Sequence, residues 1–386
     1  MADLLLVTGD SSGDNYAARL VDRLKEKGFS DEIHAAAGEK TARSGAHLIE
    51  NLVEQAVIGF AEIITSIPYF YRLLNKMEDF VRENKIKTVV FIDFPGFNLR
   101  LASRLKKYDV NLIYYITPQV WAWGENRVSK LGEIFDELLV IFPFEEQFFK
   151  ERGVEARFVG HPLWEEKKLT KVTSARVSLD IDDETPLISF FPGSRRREIN
   201  RLLPTMLKTA RRLESRHQNC RFVFSAAASI GREALESFFG PEDLEKFYLW
   251  SGSARGLLES SQLAVLASGT VTMEAAFAQT PMIVGYRTSL LSYILGRIVA
   301  KVDKAAMPNI ISSTNLVPEL IQSDYNTENL TQLVSSYISN PAKREKQIRW
   351  LKKETEAFEG KMPTEEVAAR VMTYAAGGEN NCEEKN

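Results

Sequence analysis

The stretch that decides the fold is Leu4-Leu-Leu-Val7 followed by Thr8-Gly9-Asp10-Ser11-Ser12-Gly13-Asp14. The apolar run predicts a buried strand, and the two glycines predict a tight loop leading into a helix from about Asn15 to Lys27. A strand, loop and helix in this order begin a βαβ unit. The glycines are four residues apart, so the loop is not GxGxxG, and the alternative is a plain turn with Asp14 as the helix cap.

The same alternation of apolar runs and helical patterns continues along the chain. We predict further strands at 33–37, 88–92, 111–116, 137–142 and 157–159, and then at 187–191, 221–225, 263–267 and 282–284. Residues 164–185 are rich in charge and poor in apolar runs, which indicates a domain boundary. Residues 327–376 predict helices only. The fold class is therefore α/β, with two successive doubly wound parallel sheets.

Composition excludes several classes of protein. The chain has 386 residues, of which 44% are apolar and 26% charged, so it can bury a core. A net charge of −3 argues against a nucleic-acid partner. No apolar run reaches the ~18 residues that span a bilayer, and the start MADLLLVTGD predicts no secretory signal. The two cysteines form neither a disulfide framework nor a zinc site. No metal signature stands out in the sequence, and we expect no cofactor.

Parallel sheets bind ligands where their strands end at the carboxyl edge. The predicted strand at 88–92 ends in Ile92-Asp93-Phe94-Pro95-Gly96-Phe97-Asn98. A carboxylate that leaves a buried strand at this edge is well placed to act as a general base. The alternative is a turn-forming aspartate before Pro-Gly.

Two loops of the second half have the features of a diphosphate and nucleotide site. Pro192-Gly193-Ser194-Arg195 leads from a strand into a helix that begins with three arginines. Backbone N–H groups, the helix dipole and guanidinium groups together suit a diphosphate. Ser268-Gly269-Thr270 begins another helix, with Glu274 one turn in, and an acid there can accept hydrogen bonds from ribose hydroxyls. The alternatives are a solvated basic helix start and a capping-box-like helix start.

Weaker signals complete the list of candidates. Tyr286, Arg287 and Asn309 follow at the same edge of the second half, whereas Trp121, Trp123 and His161 are more typical of packing. The stretch 58–74 is apolar nearly all round and predicts either a buried helix pair or a surface for acyl chains or a membrane. The candidate residues of that surface are Ile58, Phe60, Ile63, Ile64, Ile67, Phe70, Leu73 and Leu74.

In this order, the blocks GDSSGD, IDFPGFN, PQVWAW, GHPL, PGSRRREI and SGTVTMEAAF, followed by VGYR and MPN, resemble the lipid-A-disaccharide synthases. The resemblance runs from about Leu5 to Glu319. It implies a GT-B fold, in which two Rossmann-like domains have parallel sheets that face each other across a cleft. It also implies an inverting glycosyltransferase that needs no metal.

The resemblance implies substrates and roles for particular residues. The family joins UDP-2,3-diacylglucosamine to 2,3-diacylglucosamine 1-phosphate through a β-1,6 linkage and releases UDP. Asp93, Arg195, Asn309 and Asp10 match its catalytic positions. The residues that match or flank its UDP-sugar segment are Gly193, Ser194, Ser268, Gly269, Thr270, Glu274, Tyr286 and Arg287. Asp10 stands where the family usually has Glu, and Gly96 where it commonly has a second acid.

The resemblance also implies a place in the cell and a domain plan. Family enzymes act at the cytoplasmic face of the inner membrane as peripheral proteins. The resemblance leaves open whether the protein forms a homodimer. The predicted domains are residues 1–165 with about 345–376 for the acceptor and membrane, and 166–344 for the UDP-sugar, with a flexible tail at 377–386. The alternatives are another GT-B UDP-sugar transferase or a UDP-sugar epimerase. A nicotinamide-dependent oxidoreductase would need GxGxxG, and a lipid-binding scaffold would not need Asp93, Arg195 and Glu274 together.

Overall fold

The computed structural model describes residues 4–54, 67–288, 304–312 and 314–376, and it describes only the backbone of Ile67 and Trp123. The predicted flexible tail at 377–386 lies outside these residues. So do Ile58, Phe60, Ile63 and Ile64 of the predicted acyl or membrane surface.

The first half of the chain forms a parallel sheet, as predicted. Its strands are β1 (Leu4–Val7), β2 (Ile33–Ala37), β3 (His47–Asn51), β4 (Thr88–Ile92), β5 (Asn111–Tyr115), β6 (Glu137–Val140) and β7 (Arg157–Phe158). Within the described residues they lie in the order β3-β2-β1-β4-β5-β6-β7. The apolar runs are buried, and all residues of β1 and β4 are at most 1% exposed. Burial on both faces is what a parallel sheet with helices on both sides requires.

The helices between these strands follow the predicted alternation. They are α1 (Ser11–Glu26), α2 (Glu39–Arg43), α3 (Ile67–Glu83), α4 (Pro95–Leu105), α5 (Val120–Trp123), α6 (Val128–Ile134), α7 (Pro143–Lys150) and α8 (Pro162–Leu169), with a 3₁₀ turn at Glu125–Arg127. Helix α1 begins at Ser11 rather than near Asn15. Its cap is Asp10, whose carboxylate accepts the N–H of Gly13 at 2.6 Å.

The second half forms another parallel sheet. Its strands are β8 (Leu187–Phe191), β9 (Arg221–Ser225), β10 (Tyr248–Trp250), β11 (Leu263–Ala267), β12 (Met282–Tyr286) and β13 (Glu319–Ile321). In the described chain their order is β10-β9-β8-β11-β12-β13. The helices are α9 (Ala175–Leu179), α10 (Arg196–Arg216), α11 (Arg232–Glu236), α12 (Pro241–Lys246), α13 (Ala254–Glu259), α14 (Val271–Ala278), α15 (Met307–Ile311), α16 (Thr327–Ser339) and α17 (Pro341–Thr355), followed by a 3₁₀ turn at Glu356–Phe358.

Three strands were not predicted, namely β3, β10 and β13. Each lies at the edge of its sheet. Strands β3 and β13 are mostly half-buried, and β10 has only three residues. An edge strand packs fewer neighbours, so its sequence has no long apolar run by which it could be found.

The second sheet buries a core on each of its two faces. Phe190 of β8 packs on one face with residues of α10 and α16, including Leu203 and Leu330. The next residue, Phe191, packs on the opposite face with residues of α14 and α17, including Leu351. Neighbouring residues of a strand point to opposite faces. We refer to these faces as the α10 face and the α14 face.

The chain divides into two compact units. The first ends at Glu165 and resumes at Gly360, and the second runs from Glu166 to Glu359. The chain was predicted to return to the first unit near residue 345, but α17 belongs to the second unit. Leu351 is buried in its core, and the side chain of Gln347 accepts the N–H of Met282 at 2.6 Å.

The helix that returns to the first unit is α18 (Pro363–Ala375). Glu165 accepts the backbone N–H of Thr364 at 3.3 Å. Arg370 forms a two-pronged ion pair with Glu137 of β6, with Nε 2.9 Å from the carboxylate oxygens. These contacts make α18 part of the first unit.

Asp14, the alternative helix cap of the sequence analysis, holds the neighbouring loop instead. Its buried carboxylate accepts the N–H groups of Gly38 at 3.0 Å and of Lys40 and Thr41 at 3.1 Å, and the hydroxyl of Thr41 at 2.6 Å. These donors belong to the start of α2. One carboxylate therefore ties α1 to the loop after β2.

Asp14→Asn is expected to lower the unfolding free energy of the first unit by ~2 kcal/mol, because an amide group would face buried N–H donors. Urea denaturation followed by circular dichroism measures the change. Asp22→Asn, at an exposed position of the same helix, is the matched control and should change little. Equal stability of the two variants would contradict this role of Asp14.

Candidate active site

The carboxyl edge of the first sheet brings together the loops that follow β1 and β4. These strands are paired, with Val7 opposite Phe91, so the residues after them are neighbours. Gly9 packs against the ring of Phe94 so closely that a Cβ at position 9 would lie 2.5 Å from it. Only glycine permits this approach. The sequence-predicted residues Asp10 and Asp93 thus lie at one edge.

The backbone at this edge has an unusual conformation. Asp93 and Phe94 follow one another with φ of 47° and 50°, and Ile116 after β5 has φ of 60°. All three residues carry a Cβ, so this left-handed conformation costs ~1–3 kcal/mol for each. Such strain persists only where neighbouring contacts hold it.

Asp93 has the electrostatics of a general base. Its pKa is raised from 3.8 to about 6, chiefly by burial and also by the negative charge of Asp10, while a hydrogen bond from the N–H of Phe94 acts in the opposite direction. A carboxylate with this pKa is ionised near neutral pH, yet it accepts a proton more readily than a solvated one.

Two buried side chains hold Asp93 through its backbone carbonyl. The amide of Asn98 donates to this carbonyl at 2.7 Å, and the hydroxyl of Tyr114 donates to it at 3.0 Å. Burial and the charge of Asp93 raise the pKa of Tyr114 well above 10, so the hydroxyl stays protonated and remains a donor. The same amide of Asn98 lies 3.4 Å from the carbonyl of Val7, at the end of β1.

The sequence analysis did not assign a role to Asn98 or Tyr114. Asn98 falls on the buried side of α4, together with Leu101 and Leu105. A polar residue on the apolar side of a helix was the available signal. Tyr114 carried no such signal, because a tyrosine in a buried strand is ordinary.

In the second unit, Gly193 to Arg195 form a turn between β8 and α10. Gly193 has φ of 115°, and a Cβ there would collide with Glu198. The carboxylate of Glu198 accepts the N–H of Ser194 at 3.1 Å and pairs with Arg195 at 3.0 Å. The side chain of Arg195 is nevertheless 82% exposed, so its guanidinium is accessible to an anion.

The segment Ser268 to Glu274 begins α14, as predicted. The hydroxyl of Ser268 donates to the carbonyl of Ala305, whereas Gly269 and Thr270 are exposed at the start of the helix. The pKa of Glu274 is raised to about 7, chiefly by burial and also by the charge of Glu166, while Arg255 acts in the opposite direction. Glu274 is therefore a desolvated acid one turn below an exposed helix start.

The side chain of Asn309 is buried. It is 2% exposed and forms hydrogen bonds only inside the protein. The amide donates to the carbonyl of Val317 at 2.8 Å and to Glu319 at 2.7 Å, and Oδ1 accepts the N–H of Val317 at 3.1 Å. Glu319 in turn accepts the N–H groups of Ala305 and Ala306. Asn309 thus positions the segment that contacts Ser268, and its assignment as a catalytic residue stays a prediction.

The two residues after Gly285 are exposed. Tyr286 ends β12 with 39% of its surface exposed. Arg287 lines a cavity with Arg201 and Lys208 of α10. This cavity lies on the α10 face, whereas Glu274 belongs to α14, which packs on the opposite face. The strand ends that precede the two residues are neighbours, since Ala267 of β11 pairs with Gly285 of β12. The assignment of Arg287 to the UDP-sugar site stays a prediction.

Two further candidates are internal. Trp121 is 8% exposed and its indole N–H donates to Glu145 at 2.9 Å. Burial lowers the pKa of His161 to about 3, and its Nδ1 accepts the N–H of Leu163 at 3.1 Å. Both residues therefore pack within the first unit.

The predicted acyl or membrane surface needs a correction in its described part. Leu73 and Leu74 are 7% and 1% exposed. They face the sheet, since buried Met77 and Val81 continue the same side of α3. Phe70 is half-buried and packs edge-on against Phe97 at 5.5 Å. The exposed aromatic residues of α3 are instead Tyr69 and Tyr71, at 37% and 53%.

Among the described residues, no helix combines the length and the apolar character needed to cross a membrane. The same part of the chain has no group of three or more His, Cys, Asp or Glu side chains placed to hold a metal ion.

The two parallel sheets define a GT-B fold of two Rossmann-like halves. The glycotransferase of kitacinnamycin has a similar structure, with a TM-score of 0.67 and 14% identity over 96% of this chain and 98% of that one. A UDP-GlcNAc 2-epimerase from Neisseria meningitidis, solved bound to UDP-GlcNAc, has a TM-score of 0.64 and 11% identity over 96% and 99%. These similarities show the fold.

The family follows from the sequence comparison. Residues 4–371 match the family model of lipid-A-disaccharide synthetase. A lipid-A-disaccharide synthase of Anaeromyxobacter sp. (strain K) is 34% identical over 349 residues, which make up 90% of this chain and 91% of that one. The chain belongs to the lipid-A-disaccharide synthase family, the glycosyltransferases of lipid A biosynthesis, as its sequence blocks indicated.

Tyr114→Phe is expected to lower kcat of the transferase reaction about tenfold with little change in KM. The variant loses one of the two hydrogen bonds that hold Asp93, and a hydrogen bond of ~1 kcal/mol corresponds to several-fold to tenfold in rate. Initial rates at saturating and limiting substrate separate the two constants.

Tyr108→Phe is the matched control, since its hydroxyl donates to Glu78 at 3.1 Å away from this edge. It should leave kcat unchanged. If Tyr114→Phe lowers only the melting temperature and keeps kcat, Tyr114 does not position Asp93.

Proposed function

We propose that this protein transfers 2,3-diacylglucosamine from UDP to the 6-hydroxyl of 2,3-diacylglucosamine 1-phosphate. The anomeric centre inverts, a β-1,6 linkage forms and UDP leaves. Membership of the family supports the reaction class, and the first unit supplies a base suited to it. The observation that carries the proposal is the desolvated carboxylate of Asp93, held at a sheet edge by Asn98 and Tyr114.

Asp93 takes the proton of the acceptor hydroxyl as its oxygen attacks the anomeric carbon. The oxygen attacks from the face opposite UDP, which gives inversion in one step. A general base is worth ~10²–10⁴-fold in rate. Asp10 does not take a proton in this scheme. Its negative charge raises the pKa of Asp93 and its carboxylate caps α1.

The second unit binds the UDP part of the donor. Gly193, Ser194 and Arg195 are proposed to receive the diphosphate, because a glycine turn precedes an exposed guanidinium at a helix start. Gly269 and Thr270 offer a second exposed helix start. The UDP-GlcNAc bound to the Neisseria epimerase of similar fold supports a UDP-sugar as ligand.

Glu274 is proposed to accept hydrogen bonds from the ribose hydroxyls. Ser268 and Asn309 act indirectly, since their side chains hold the segment around Ala305. Tyr286 is exposed beside this edge and is proposed to contact the sugar. The leaving diphosphate is stabilised by arginine and helix N–H groups in this scheme, with no metal ion required.

The acyl chains are proposed to lie at the part of the first unit that contains Tyr69, Tyr71 and the apolar stretch before them. Aromatic side chains with a polar end suit a membrane interface. The protein would then act as a peripheral protein at the cytoplasmic face of the inner membrane, where its acylated substrates reside.

The test is mass analysis of the products from both purified substrates, with and without a chelator. The expected product is the disaccharide 1-phosphate, in equal yield under both conditions. Asp93→Asn should lower turnover by ~10²–10⁴-fold while it keeps UDP affinity, because only the base is lost. Epimerised UDP-sugar without disaccharide would overturn the proposal, and so would near-normal turnover in Asp93→Asn.

Glu274→Gln is the reciprocal control for this experiment. It should weaken UDP binding in calorimetry, since an acceptor for ribose hydroxyls is replaced by an amide, while turnover at saturating donor persists. The opposite pattern in the two variants separates the base from the donor site.

The acid side of the pH profile should report Asp93. Activity is expected to fall as the pH drops through about 6, because a protonated Asp93 cannot accept the acceptor proton. Asp10→Asn keeps a good helix cap but removes a like charge, so the pKa of Asp93 falls and this limb moves to lower pH. Profiles of kcat/KM for the two proteins measure the shift.

Asp109→Asn is the charge-matched control, since its side chain is fully exposed and pairs only with Lys87 at 3.2 Å. Its profile should coincide with that of the unmodified protein. A limb that does not move in Asp10→Asn would remove Asp10 from the electrostatics of Asp93.

A further inference from the structure

A cationic cavity lies on the α10 face of the second unit. Its volume is about 400 Å³, and one wall is formed by α10 and the other by the loop after β12 and the start of α16. The lining residues are Asn200, Arg201, Pro204, Thr205, Lys208, Arg287, Thr288 and Thr327. A cavity of this size is within the range of small-molecule sites.

The charged side chains of the described lining are all cations. Arg201, Lys208 and Arg287 contribute three cations, and none of the described lining residues is Asp or Glu. Two arginines further along α10 are paired with carboxylates. Arg211 forms two hydrogen bonds with Asp243, at 2.7 and 2.6 Å, and Arg212 pairs with Glu328 at 3.0 Å.

The donors are arranged to converge. Arg201, Thr205 and Lys208 lie at i, i+4 and i+7 along α10 and so share one side of the helix. Arg201 donates to the hydroxyl of Thr288 at 3.3 Å, which directs its guanidinium to the opposite wall. Helix α16 begins at Thr327 in the lining, so the positive end of its dipole is on the same side.

We propose that this cavity binds a phosphate ester. Three cations, three threonines and a helix start match a dianionic group with several acceptor oxygens, which guanidinium groups bind in a two-pronged manner. The volume exceeds that of phosphate alone, so the ligand carries a small polar body such as glycerol or a sugar. The cavity extends beyond the groups proposed for UDP. Arg201 lies about 9 Å along α10 from Arg195, and Glu274 belongs to α14, which packs on the opposite face of the sheet.

Two sources share this chemistry, namely a soluble phosphate ester and a phospholipid headgroup. The experiment therefore has two arms on the full chain. Calorimetry measures binding of inorganic phosphate and of glycerol 3-phosphate. Vesicle flotation compares phosphatidylcholine with phosphatidylcholine that contains phosphatidylglycerol. Binding in the first arm identifies a soluble ligand, and binding in the second arm alone identifies a lipid headgroup.

The double variant Arg201→Gln, Lys208→Gln tests the cavity. Its affinity should fall at least about tenfold in the arm that shows binding, because two charge-assisted hydrogen bonds are lost. The control removes the same charge from Arg216 and Lys346, exposed residues outside the lining. Arg216→Gln, Lys346→Gln should bind as the unmodified protein does.

Three results would overturn the proposal: no binding by the unmodified protein in either arm, an undiminished affinity of the cavity variant, or equal losses in cavity and control variants. Lys208→Glu is the second variant. Lys208 is exposed, so the reversal of its charge should leave the fold intact, as circular dichroism checks. Lys208→Glu should weaken binding more than neutralisation of Lys208 does.

Discussion

One side-chain amide holds the edge on which the chemistry of the first unit depends. Asn98 reaches the carbonyl of Asp93 at 2.7 Å and lies 3.4 Å from the carbonyl of Val7. It thereby joins the ends of two neighbouring strands, one leading to Asp10 and the other to Asp93. Without such a contact, two successive left-handed residues at 93 and 94 would relax toward the ordinary conformation. The carboxylate of Asp93 would then become more exposed to solvent, and its distance from Asp10 would change.

The same constraint sets the basicity of the carboxylate of Asp93. A solvated aspartate is too weak a base to assist a sugar hydroxyl, and a fully buried one would stay protonated. Partial burial beside a second carboxylate gives Asp93 a pKa of about 6, between these limits.

The second unit presents cationic and N–H groups instead of a carboxylate base. Its parallel sheet ends in helix starts and an exposed arginine, groups that suit an anion, and its two faces keep the cavity at Arg201 apart from Glu274.

Much of the fold could be predicted from the sequence because parallel strands buried on both faces are continuous apolar runs. The central strands were found for that reason, whereas β3, β10 and β13 were missed at the sheet edges, where burial is partial. The return of the chain was placed too early. Residues 345–355 have a helical pattern, but whether Trp350 and Leu351 pack on one unit or the other depends on surfaces that are distant in sequence.

The sequence by itself determined the family, the α/β class and the types of chemical group at the strand ends, since order and spacing of short motifs are properties of the chain. Tertiary structure alone decided which neighbours surround those groups. Asn309 proved to be a buried support, Leu73 and Leu74 belong to the core, and Arg287 faces a cavity with Arg201. Tyr114 gained a role that no motif marked. The physical reason is that burial, hydrogen-bond partners and pKa arise from neighbours that lie far apart along the chain.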